Sequence, residues 1–254
     1  MTGILVLSGI SKAFRDGDTV CQTLLDLSCT IRKREIVCLM GPSGCGKSTV
    51  LRILSGLEVA DSGLIQGASR EGPAPVCTAM VFQEHGLFPW LTVTENIAYG
   101  LMMKIRARRA DEVQKKVSEL LSLVHLGEFA SSLPHQLSGG MKQRVAVARA
   151  LAIEPEILLM DEPFSALDPF SRRKLQDEIL RIRTELNTTF LIVTHNPEEA
   201  VYLADRIIIL SGRPATVQTE MPIPCPYPRD MAEPQIIRLV QKVTRLIESE
   251  SEDS

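Results

Sequence analysis

The chain is poor in aromatic side chains, which make up 4% of its 254 residues with a single tryptophan, and it has no excess of basic charge. With 28 Lys and Arg against 31 Asp and Glu, its net charge of -3 offers no bulk positive field for nucleic acid, so no nucleic-acid partner is expected. No apolar run approaches the ~18 residues that span a bilayer. The most apolar pieces, FLIVT and RIIIL, are strand-length. The opening MTGILVLSGISKAF has neither the basic start nor the small-residue cleavage site of a secretory signal. The expectation is a protein in the cytoplasm, or one held peripherally at the cytoplasmic side of the inner membrane by another chain. The six cysteines, at 21, 29, 38, 45, 77 and 225, form no Cys-x-x-Cys pair and match no zinc module. They read as scattered, mostly buried free thiols.

What is present is an alternation of buried strands and helices. Residues 1–35 read as short strands joined by polar turns. EIVCLM is a buried strand that runs into a glycine loop and then into the helix STVLRILSGL, which ends near Gly56. TAMVFQ (78–83) is another strand. Residues 107–126 have helical periodicity, with Val113, Val117, Leu120, Leu121 and Val124 on one face. The strands ILLMD (157–161), FLIVTH (190–195) and RIIIL (206–210) follow, with the helix SRRKLQDEILRIRTEL between the first two. This pattern predicts a parallel-sheet α/β core with a mostly helical insertion at about 84–155. From Gly212 the tail turns proline-rich, with prolines at 222, 224, 226 and 228, and should be extended. It closes on a helix carrying Ile236, Val240, Val243 and Ile247 on one face, then an acidic end expected to fray.

The glycine loop is GPSGCGKST, residues 41–49. It follows a strand and opens a helix, the context in which Gly41-x-x-x-x-Gly46-Lys47-Ser48 is a phosphate cradle. The backbone from Gly41 through Pro42, Ser43, Gly44, Cys45 and Gly46 curls its N–H groups around phosphate. Lys47 adds a point charge, and Ser48 and the neighbouring Thr49 add hydroxyls, that of Ser48 able to ligate Mg²⁺. Cys45 is expected to lie beside the phosphates, so a bulky thiol reagent should block the site and a bound phosphate ligand should protect. In ILLMDEP, Asp161 leaves a buried strand at the sheet's carboxyl edge, where it suits a Mg²⁺ shell; Glu162 suits polarisation of an attacking water. His195 ends its strand at the same edge. A lone histidine there is most often structural, but a γ-phosphate contact is also open to it. A second anion site is visible in LSGGMKQRVAVARAL (137–151), where Ser138, Gly139 and Gly140 open a helix with unobstructed N–H groups and no lysine of their own.

Taken with Gln83 in MVFQE and Asp168 in SALD, these motifs resemble, in order and over almost the whole chain, the nucleotide-binding subunits of ABC transporters. The resemblance implies an α/β fold with a P-loop NTPase (RecA-like) core, an N-terminal antiparallel β subdomain and a helical insertion. The whole, 1–254, would be one ATPase domain: core 1–83 and 156–212, helical subdomain 84–155, C-terminal extension 213–254. It also implies that ATP lies between the glycine loop of one copy and Ser138, Gly139 and Gly140 of a second copy or a paralogous ATPase subunit. Phe14 then stacks on adenine, where a Tyr is more usual. Gln83 reaches Mg²⁺ and water, Glu162 is the catalytic base, Asp168 crosses the dimer interface and His195 is the switch histidine. Met141 stands where Gln is commonest, a change expected to cost little. LFPWLTV, which carries the only tryptophan, reads either as core or, by the resemblance, as the surface that meets the membrane subunits. Its wording and the proline-rich tail look like the nitrate, sulfonate, taurine and bicarbonate importers. The implied partners are two transmembrane permease subunits and, indirectly, an extracytoplasmic solute-binding protein. A non-transport ABC ATPase is the alternative; a P-loop kinase has no acceptor site in its favour.

Overall fold

The computed structural model describes residues 3–17, 19–69, 72–73, 76–104 and 110–252. The chain forms two compact units, Met1–Val76 with Thr189–Ser254, and Cys77–Thr188.

In the first unit, β1 (Gly3–Asp16) and β2 (Thr19–Arg32) form an antiparallel pair of 14-residue strands. They are longer than the short strands expected. Register shifts between Leu7 and Ala13 break the alternation by which a long strand is read from sequence. β4 (Ser62–Ser69) pairs with β1, and β5 (Gly72–Pro73) pairs with β4. In the same unit β3 (Ile36–Met40) lies parallel between β8 (Thr189–Val193) and β9 (Arg206–Leu210), and β10 (Val217–Pro222) runs antiparallel beside β9. Every residue of β3, β8 and β9 is buried, which is why these strands read as unbroken apolar runs.

Helix α1 (Lys47–Leu54) follows β3 and ends before Gly56, whose φ is +75°. α6 (Pro197–Leu203) follows β8. The tail ends in α7 (Pro234–Glu252), with Ile236 and Val243 buried and Val240 and Ile247 half-buried. The acidic end expected to fray continues this helix to Glu252; the last two residues lie outside those described. The proline-rich stretch is firmly attached. Buried Arg229 donates to the carbonyls of Val201 at 2.7 Å, Tyr202 at 3.3 Å and Ala204 at 2.7 Å, at the end of α6.

In the second unit β6 (Thr78–Val81) pairs parallel with β7 (Ile157–Asp161). Around them lie α2 (Val93–Lys104), α3 (Ala110–Leu123), α4 (Gly139–Ala152) and α5 (Pro169–Leu186). α3 falls within the expected 107–126 helix, whose first three positions lie outside the described residues. α4 packs on β6, α2, α3 and α5, so the expected insertion 84–155 shares one compact unit with the strands and helix that flank it. The Arg144 Nε to Glu178 Oε2 ion pair, 3.0 Å, ties α4 to α5.

Candidate functional site

The glycine loop occupies the turn from β3 to α1. Leu39 of β3 pairs with Val193 of β8, so Gly41 and His195 each stand two residues beyond a paired position, at the carboxyl ends of neighbouring parallel strands. Gly46 precedes α1 with φ +121°, and a Cβ there would come within 2.8 Å of Thr23 Cγ2 and 2.9 Å of Leu24 Cδ2. No side chain fits, and no side chain caps the start of α1. Lys47 is 7% exposed and donates to the carbonyls of Gly41 at 2.9 Å and Pro42 at 2.7 Å. Pro42 oxygen also accepts from Cys45 N–H at 3.3 Å. Ser48 and Thr49 are half-buried in the first turn, and Ser43 and Gly44 are exposed.

Cys45 is one of the buried free thiols expected from the sequence. Its side chain is buried, and burial pushes the thiol up from its ordinary range, against the nearby Lys47 charge that pulls it down. The sulfur packs under the loop, 3.1 Å from where a Cβ on Gly41 would stand.

Phe14, on β1, is 40% exposed with the Lys12 ammonium 5.3 Å from its ring centroid. Lys12 is anchored in turn by Glu58 at 2.9 Å and Asp61 at 3.1 Å. The ring is thus held as an accessible flat face. His195 is exposed, in a turn pinned by its neighbours: Thr194 Oγ1 donates to Glu199 Oε2 at 2.5 Å and accepts from Asn196 N–H at 3.1 Å, and Asn196 caps α6.

In the second unit the same register logic holds. Val81 pairs with Met160, so Gln83 and Glu162 each follow two residues beyond a paired position. Ser165 joins them, accepting from Gln83 Nε2 at 3.4 Å and donating to the Glu162 carbonyl at 3.0 Å. Glu162 has φ +43°, a left-handed conformation costing an L-residue roughly 1–2 kcal/mol. Asp161, half-buried, is the last residue of β7.

Ser138 caps α4, accepting from Met141 N–H at 3.3 Å, and Ser138 and Gly139 are exposed. A Cβ on Gly140 would lie 3.2 Å from Ser171 Cβ, so the start of α4 sits against the start of α5. There Asp168 is the cap, accepting from Phe170 and Ser171 N–H at 3.0 Å. The Ser171 hydroxyl and N–H hold its carboxyl below the usual range. The structure therefore brings Gln83 and Glu162 together through Ser165, and the Ser138 turn together with the Asp168 turn through Ser171.

Three contributors escaped the sequence reading. Buried Asn96 of α2 donates to the carbonyls of Phe88, Leu91 and Thr92 and accepts from Phe88 N–H, fixing the loop after Gln83. Arg149 of α4 holds the same loop through the Gly86 carbonyl at 2.8 Å. Arg213 reaches the glycine loop from the β9–β10 connection, donating to the Gly44 carbonyl at 2.5 Å. No motif marks them, because their partners are mostly backbone groups. Trp90 is 71% exposed, which excludes the core reading for this residue; Phe88, in contact with both Trp90 and Tyr99, links it into an aromatic surface.

Known proteins match this geometry. A family described as ABC transporter covers residues 24–165. The aliphatic sulfonates import ATP-binding protein SsuB of Bacillus licheniformis is 45% identical over 94% of this chain and 92% of its own. SsuB of Bacillus subtilis is 43% identical over 91% and 89%. A solved structure, the dimeric post-hydrolysis state of the ATP-binding cassette MJ0796 bound to ADP and Pi, superposes with a TM-score of 0.76. It has 32% identity and covers 87% of this chain and 99% of that one.

Proposed function

The chain belongs to the ABC transporter family, and from that premise we propose that it is the ATP-hydrolysing motor subunit of a bacterial importer. The solute is a small oxyanion, with an aliphatic sulfonate, the class that includes taurine, favoured over nitrate or bicarbonate by the names of its relatives. The observation that carries the reading is the start of α1, where glycines that admit no Cβ leave N–H groups uncapped beside a buried lysine.

In this reading the loop from Gly41 to Thr49 binds the triphosphate and Phe14 stacks on adenine. Ser138, Gly139 and Gly140 of a second copy close on the γ-phosphate. The Ser138 hydroxyl accepts from Met141 N–H, and its own proton would be donated to the ligand. Glu162 takes a proton from the attacking water, and His195 and Gln83 orient the γ-phosphate and that water. Ser48, Gln83 and Asp161 present only oxygen donors, the set Mg²⁺ prefers, and would hold that ion to offset triphosphate charge. Asp168, by capping α5, keeps the interface turn beside the Ser138 turn.

The exposed Trp90 surface fits two permease subunits, which would hold the motor peripherally at the cytoplasmic side of the membrane, with a solute-binding protein outside. Arg149 links that surface to the helix that starts at Ser138. No helix among the described residues is long and apolar enough to cross a membrane. The test is reconstitution with the permease pair and binding protein in vesicles. Sulfonate should raise ATP hydrolysis several-fold and enter the vesicles. A chain whose ATPase ignores every solute and never joins a permease contradicts the proposal.

A further inference from the structure

We infer that Arg213 is a positioning residue of the phosphate site, acting through the Gly44–Cys45 peptide; the inference rests on the ATPase reading above. Arg213 lies 169 positions from Gly44 yet donates Nη2 to its carbonyl at 2.5 Å, while Nη1 reaches Cys21 Sγ at 3.2 Å. Cys21 is the β2 partner of Phe14 in the β1–β2 ladder. One guanidinium therefore spans the strand pair that presents the aromatic face and the loop that presents the cradle.

The consequence follows from peptide planarity. The Gly44 carbonyl and the Cys45 N–H belong to one planar trans unit and point in opposite directions. Holding the oxygen on Arg213 turns the Cys45 N–H away from Arg213, into the loop. There it is directed at the Pro42 oxygen, the same oxygen that accepts from Lys47 Nζ. Arg213 thus aligns a backbone donor with the lysine charge, in a glycine segment that would otherwise rotate freely.

Its own mounting is rigid. Ala215 N–H donates to Thr23 oxygen at 2.9 Å, Leu25 N–H donates to Ala215 oxygen at 3.0 Å, and Ser211 Oγ accepts from Thr216 N–H at 2.9 Å. Thr23 and Leu24 are the residues that leave no room for a Cβ on Gly46. The connection carrying Arg213 is therefore bound to the strand that walls the cradle. A guanidinium suits this bridge because its fork is planar and permanently charged.

In this structure the Cys45 N–H and the Lys47 ammonium converge on the Pro42 oxygen; with nucleotide bound both would turn to phosphate, equally before and during hydrolysis, so loss of the alignment would weaken binding rather than the chemical step. The experiment compares Arg213→Met, Arg213→Lys and Lys47→Ala in the full chain. ADP affinity is read by calorimetry, ATPase by KM and kcat, and folding by melting without nucleotide. Arg213→Met should weaken ADP binding about tenfold and raise KM for ATP to match. kcat should stay within about twofold and melting should match the parent. Arg213→Lys, which restores a charged donor to the Gly44 carbonyl, should recover most of the affinity. Parental ADP affinity in Arg213→Met would overturn the inference. So would a fall in kcat at unchanged KM, or equal losses of melting temperature and affinity in both variants. Lys47→Ala separates the layers: if it too binds ADP normally, the phosphate-site reading itself fails.

Discussion

The two helix starts of this molecule are built to opposite plans. α1 opens with no side-chain cap, behind a glycine that Thr23 and Leu24 enclose, and beside a buried lysine. α4 opens with its own serine cap, on an exposed turn, with no charge of its own in the first turn before Lys142. The first, in the proposed reading, encloses the anionic oxygens of its ligand with its own lysine. The second offers N–H groups and one hydroxyl, outward, and needs a ligand brought to it. The difference teaches that a helix N-terminus alone does not define a binding site. Enclosure and charge decide whether it binds by itself or completes a site begun elsewhere.

The sharpest way to break this contrast is to remove the charge from the first start. Lys47→Ala should lower ATP affinity about a hundredfold, as expected for losing a charge-assisted contact of roughly 2–3 kcal/mol, measured by equilibrium dialysis on the isolated chain. The matching change at the second start should act differently. Ser138→Ala strips the cap from α4, costing roughly 1 kcal/mol and lowering the melting temperature by about 2–4 °C. Single-chain ATP affinity should remain parental, while ATP-driven association seen by sedimentation weakens. Equal loss of ATP affinity in both variants would erase the distinction.

Enclosure predicts a smaller effect on Cys45. Its thiol is buried and raised above its ordinary range, chiefly by desolvation, so alkylation at pH 8 should be at least about tenfold slower than at half-buried Cys21, Cys77 and Cys225. ATP should slow it further, and mass spectrometry of peptides reads each site. Cys45 reacting first would show an open cradle.

The smallest effect concerns Glu178, which braces α4 from α5. Burial, the dominant cause, raises its folded-state pKa, against the pull of Arg144 and Arg181. The folded chain then binds this proton more tightly than the unfolded chain. Its contribution is most favourable at low pH and declines as pH rises from the unfolded value, roughly 4.3, through the raised folded one. Glu178→Gln should remove this decline, altering the pH dependence of melting by about 1–2 °C across that window. An unchanged slope would mean that the ion pairs dominate.

Much of this was legible from the sequence, for identifiable reasons. Both helix starts announce themselves because glycine and serine spacing is local. The strands of the parallel core do so because burial on both faces makes them unbroken apolar runs. β4 did not, since SGLIQGAS mixes glycine and polar residues and finds its order only through pairing with β1. α2 did not, because an asparagine buried for its hydrogen bonds interrupts the apolar face. α6 is too short to show a period. Arg213 was invisible for a deeper reason: a side chain that serves a distant backbone carbonyl leaves no trace in either local pattern.

The central claim is that the two starts complete one another across two chains. Complementation tests it most directly. Lys47→Ala breaks the first start; Gly139→Asp breaks the second by placing an acid against the triphosphate, at an exposed position where an acid suits the helix dipole. Each variant alone should be inactive. Mixed in equal amounts, they should regain about a quarter of parental ATPase, because half the symmetric pairs are mixed and each mixed pair holds one intact composite site. A mixture as inactive as its components would contradict the account.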